Sequence, residues 1–81
     1  MVKTHEINLN TSTFNQFTSI NYIILEKKNI EVNDFILFKQ VETSTEGEVK
    51  ETGLFQMTQV KSIVEDSGLK DGFVLLIVNK I

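Results

Sequence analysis

The sequence predicts an α+β domain that is mostly β, with five or six strands and one short helix. Three observations carry this expectation. Apolar residues rich in β-branched and aromatic types fall in runs of strand length, separated by polar stretches. Only the segment around Phe14 and Phe17 combines helical spacing with capping hydroxyls. Turn chemistry (Asn33-Asp34, Thr52-Gly53, Gly68 to Gly72) lies between the runs rather than inside them.

In chain order, Val2 to Leu9 alternates, with Ile7 and Leu9 on one face and Asn8 and Asn10 on the other, which reads as a strand. Thr11, Ser12 and Thr13 offer N-cap hydroxyls for a short helix whose Phe14 and Phe17 share one face towards a core. Ile20 to Leu25 is β-branched and apolar, a second strand, and Glu26 to Asn29 interrupts it. Val32-Asn33-Asp34 reads as a tight turn, because Asn and Asp tolerate left-handed backbone angles and bond their own backbone. Phe35 to Glu42 is a strong strand, and the polar stretch Thr43 to Gly53 reads as a long exposed hairpin connection. In Leu54 to Val64 one alternation cannot place Phe55, Met57, Val60, Ile63 and Val64 on one face, so a bulge is expected near Gln59 and Val60. Ser67 to Gly72 is a turn, and Phe73 to Val78 is apolar on both faces, as befits a strand in the middle of a sheet or closing a barrel.

The totals bound the function. Eighty-one residues make one domain, residues 1–81, near the lower limit for a lone hydrophobic core. The chain has no cysteine for a disulfide or thiolate–metal staple, which fits a reducing compartment, and no apolar leader or spanning run. A cytoplasmic protein without membrane association is therefore expected. The net charge of −3 and the complete absence of arginine argue against base-specific nucleic-acid recognition, while leaving room for a small lysine patch.

Several blocks carry a family likeness. His5-Glu6-Ile7-Asn8-Leu9, Val32-Asn33-Asp34-Phe35-Ile36-Leu37 and Gly68-Leu69-Lys70-Asp71-Gly72-Phe73-Val74-Leu75-Leu76 resemble a short branch of the ASCH/PUA-like superfamily, held by phage and bacterial proteins. Members of that branch begin His-Glu-Leu and end Gly-Leu-Lys-Asp-Gly-Tyr-Val-Val-Leu, and the order of the blocks agrees over nearly the whole chain. The resemblance implies a small PUA-like β-barrel with the helix against one opening, and a cleft suited to RNA or a nucleoside. The ASCH signature Gly-x-Lys-x-x-Glu-x-Arg is replaced here by Ser19 to Glu26, and Asn33 stands where the family usually has glycine. Some relatives hydrolyse an acetylated cytosine nucleoside with a Lys and a Glu of that cleft. With the signature replaced, no enzyme activity, catalytic residue or cofactor is expected.

The candidate ligand-binding residues are His5, Glu6, Tyr22, Lys27, Lys28, Asn29 and Lys70. His5 and Glu6 are adjacent on a strand and so point to opposite faces. A lone histidine without a second His or a Cys is a poor metal site, and no metal is expected. Lys27 and Lys28 are the only paired lysines and could meet a phosphate, with Tyr22 as a stacking surface, although Glu26 and Glu31 flank them. Lys70 sits in the best-matching block, where Gly68 and Gly72 are explained by the backbone of the turn. Most of the six phenylalanines are expected in the core, with Tyr22 and Phe38 the candidates for exposed aromatics. Glu42, Glu46, Glu48 and Glu51 read as a solubilising hairpin.

Two partner classes follow. The first is RNA or a nucleotide in the PUA-like cleft. The alternative is a protein partner or a second copy of the chain, meeting an apolar surface at Ile23, Ile24 and Leu25 where the charged signature was lost.

Overall fold

Strand-length apolar runs form most of each strand. The computed structural model describes residues 2–65 and 68–81 and contains β1 (Thr4–Asn10), α1 (Thr11–Phe17), β2 (Tyr22–Glu26), β3 (Phe35–Thr43), β4 (Val49–Val64) and β5 (Phe73–Lys80). One mixed sheet has the order β1-β3-β4-β5-β2, with β1 parallel to β3 and every other pairing antiparallel. The doubly apolar β5 is an interior strand, as its sequence requires. No pairing among the described residues joins β1 to β2, so hydrogen bonding leaves the sheet open at those two edges.

Both edge strands nevertheless contribute to one core. Ile7 and Leu9 of one edge strand and Ile23 of the other belong to a single buried cluster with Phe14, Phe17, Ile36, Phe38, Val60, Val74, Leu76 and Val78. The seven-residue helix adds Phe14 and Phe17 to this core. The rings of Phe17 and Phe38 meet at 4.7 Å with planes tilted by 55°, joining helix to sheet.

Two local expectations are revised. The helix is capped by Asn10, whose side chain accepts from the Thr13 N–H at 2.8 Å, rather than by the hydroxyls after it. β1 runs on to Asn10, so the helix starts at once and the last strand residue takes the cap. At the other end, Lys80 donates to the Phe17 carbonyl at 2.6 Å and lies over the Phe17 ring, satisfying a terminal helix acceptor from β5. The β3–β4 connection is only Ser44 to Glu48, because the ladder continues through Val41↔Glu51, Glu42↔Lys50 and Thr43↔Val49. Beyond the buried Val41 this ribbon pairs through solvent-exposed residues, which is why apolar patterning gave no sign of it.

The expected bulge in β4 lies one residue beyond Val60: the register slips between Val60 and Ser62 and leaves Lys61 unpaired. A second irregularity separates Lys39↔Phe55 from Val41↔Glu51, so Thr52, Gly53 and Leu54 together oppose Gln40. The turn residue Asn33 has φ 78°, as its sequence context suggests. Of the turn expected over Ser67 to Gly72, Ser67 lies outside the described residues, and Gly72 has φ 85°, where a side chain would be strained.

Candidate functional site

The predicted site residues fall in three places. Antiparallel pairing of β2 with β5 sets Glu26 opposite Phe73 and carries the chain on to a 2.7 Å bond from the Lys27 N–H to the Gly72 carbonyl. This brings the Lys27–Lys28–Asn29 loop to the turn that holds Lys70, and Lys27 borders shallow hollows shared with Lys28 on one side and Lys70 on the other. The three ammonium groups are interleaved with carboxylates: Lys27 reaches Glu65 at 3.0 Å, and Glu26 and Asp71 adjoin the same hollows. Lys70 lies 5.9 Å from the Phe73 ring centroid. An exposed pair such as Lys27–Glu65 contributes about 0–1 kcal/mol, so it can yield to a competing anion.

His5 and Glu6 lie on the far edge strand and point to opposite faces. The His5 ring donates from Nε2 to Asp34 at 2.8 Å, and Glu6 lies 3.5 Å from Lys39 on the outer face. Asp34, which the sequence reading placed only in a turn, is the hub of this region. Its buried carboxylate accepts from the backbone N–H of Lys3 at 3.1 Å and of Glu31 at 3.0 Å as well as from His5. These bonds, that from His5 foremost, hold its pKa at about 2, below the usual 3.8. The Asp34 carbonyl also accepts from the Val60 N–H at 2.8 Å, so one residue ties β1, the β2–β3 turn and β4 together. Tyr22 opens β2, about 13 Å along the strand from Glu26, and is 48% exposed. It does not share a surface with the lysines.

A different surface is more fully built. On the outer face, Leu37 lies opposite Met57 and Lys39 opposite Phe55. At the irregularity, Gly53 takes φ 90°, and Leu54 and Phe55, neighbours in sequence, are both left outside, 56% and 67% exposed. A regular strand would turn one of them inward. The distortion is stitched from within: the Thr52 hydroxyl donates to Gln40 Oε1 at 2.7 Å, and the buried Gln40 side chain donates to Asn15 of α1 at 3.3 Å. The result is a hollow of about 370 Å³ lined by Leu37, Lys39, Glu51, Gly53, Leu54 and Phe55. Its charges are fixed, with Lys39 3.1 Å from Glu51 and 3.5 Å from Glu6; the bond to Glu51 and then the two negative charges raise the lysine pKa.

The phenylalanines therefore divide differently from the sequence expectation. Phe38, a candidate for exposure, is wholly buried, and Phe55, expected in the core, is the most exposed of the aromatics. The available signal was Thr52-Gly53 just before Leu54-Phe55, a glycine inside a strand pattern, which marks a bulge as readily as a turn. Ile23 is buried, Leu25 half-buried and Ile24 49% exposed, so only one of those three faces outwards. No helix among the described residues is long and apolar enough to cross a membrane. No protein-family model matches the chain, and no curated protein matches it.

Proposed function

We propose that this domain is a protein-interaction module that receives an apolar anchor, carried on a basic segment of its partner, in the hollow between β3 and β4. The carrying observation is the pair Leu54 and Phe55, both held in water by the Gly53 distortion beside Leu37. A small domain gains stability by burying such side chains, and an aromatic residue beside an apolar hollow is the usual make-up of a binding hot spot. The rim supplies the charge preference: Glu6, Glu42, Glu46, Glu48 and Glu51 lie on or beside this ribbon against Lys39 and Lys50. Phe55→Ser should leave the thermal midpoint nearly unchanged, because the side chain is exposed. It should weaken binding of a Lys-rich peptide with a central leucine or tryptophan by at least about tenfold. Unchanged affinity in that variant would remove the hollow from the account.

The scaffold reading is a PUA-like domain working in the cytoplasm. It is supported by the mostly β chain, the helix after the first strand and the core shared by both edge strands, together with the lack of cysteine.

A second reading, RNA or nucleotide binding, is supported by the convergence of Lys27, Lys28 and Lys70 at one end of the sheet. On this reading Lys27→Glu with Lys28→Glu abolishes a salt-sensitive affinity for single-stranded RNA. Retention of that affinity would exclude the lysine pair.

A further inference from the structure

The edge strand β2 presents a self-complementary pairing surface. Its ladder with β5 follows one alternation, fixed at its ends by the Val78 N–H bonded to the Asn21 carbonyl at 2.9 Å and the Lys27 N–H bonded to the Gly72 carbonyl at 2.7 Å. Residues 21, 23, 25 and 27 therefore turn their peptide groups towards β5, and Tyr22, Ile24 and Glu26 turn theirs away from the sheet. Among the described residues these outward groups have no hydrogen-bond partner. The strand has no proline, bulge or lysine to blunt it, and Tyr22 and Ile24 are about half exposed.

We infer that two copies of this chain join antiparallel through β2 about a twofold axis at Ile24, extending the sheet across both copies. In this register Ile24 faces the partner's Ile24 and Tyr22 faces the partner's Glu26, all three being outward-bonding residues. The three free N–H groups of each copy are satisfied together, six bonds in all. Side chains agree with backbone. Glu26 meets a tyrosine rather than a like charge, Lys27 falls opposite Asn21, and on the inner side Ile23 meets the partner's Leu25. That inner side opens onto an apolar groove of about 190 Å³ between α1 and β2, lined by Phe17, Ile20 and Ile23. The opposite edge, β1, lacks this fit: its exposed side chains include Glu6, Asn8 and Asn10. The β2 edge is separate from the β3–β4 hollow, and either can fail alone.

The chain has no cysteine, so the register can be tested directly. Light scattering on the intact chain at about 100 μM should give twice the 9.3 kDa chain mass. Ile24→Lys, which sets two ammonium groups across the axis at an exposed position, should weaken the dimer at least about tenfold. Under mild oxidation Ile24→Cys should form a disulfide dimer, since paired Cα atoms about 5.5 Å apart suit the bond, whereas Leu54→Cys should not. A monomeric mass for the unmodified chain, a dimer that survives Ile24→Lys, or equal cross-linking at both cysteines would overturn the inference.

Discussion

Phe38→Ala is expected to remove a large share of the domain's stability. Phe38 is wholly buried, packs its ring 4.7 Å from that of Phe17 and stands on β3, which joins the parallel and antiparallel parts of the sheet. Truncating a buried phenylalanine costs about 3–5 kcal/mol, because transfer energy and a residual cavity add. A domain of this length has a total stability of roughly 4–12 kcal/mol. The thermal midpoint should fall by about 20 °C or more, read by circular dichroism. Phe55→Ala, at an exposed site on the same ribbon, should shift it by no more than a few degrees. Similar shifts in the two variants would contradict the division of the aromatics into core and surface.

Asp34→Ala is expected to be the most damaging polar substitution. It strips the partners from two backbone N–H groups and from the His5 ring at a site where the carboxylate is nearly inaccessible. The midpoint should drop by roughly 10 °C. The same carboxylate sets an acid limit. Its folded pKa of about 2 lies below the ordinary 3.8, so the ionised form contributes stability that is complete above about pH 4 and is lost as pH falls towards 2. An Asp34→Asn variant should be destabilised at neutral pH and should show a flatter stability profile across that window. A profile as steep as that of the unmodified chain would assign the acid sensitivity to other carboxylates.

What the sequence showed and what it hid have physical reasons. Period-two runs and doubly apolar stretches located all five strands, and the interior place of β5 followed from its two apolar faces. The ladder from Val49 to Glu51 was hidden because pairing there is carried by backbone bonds, mostly between solvated residues, which leave no hydrophobic pattern. Asp34 was legible as a turn residue but not as a hub, since its partners Lys3 and His5 lie about thirty positions away and meet it only after β1 pairs with β3. The exposure of Phe55 depends on a register slip of β4 against β3, a relation between strands that composition cannot express. The seven site residues were legible by type, but only pairing shows that Lys27, Lys28, Asn29 and Lys70 share one end while His5, Glu6 and Tyr22 do not.

The most direct test of the central claim is a two-dimensional amide NMR titration of the labelled domain, made in parallel with a Lys-rich peptide bearing a central leucine or tryptophan, its Glu-rich counterpart, and a short single-stranded RNA. Shifts are expected at Leu37, Lys39 and Gly53 to Phe55 with the basic peptide and none there with the acidic one. Shifts confined to Lys27 to Asn29 and Lys70, produced by RNA and fading with salt, would contradict it and move the function to the lysine end of the sheet.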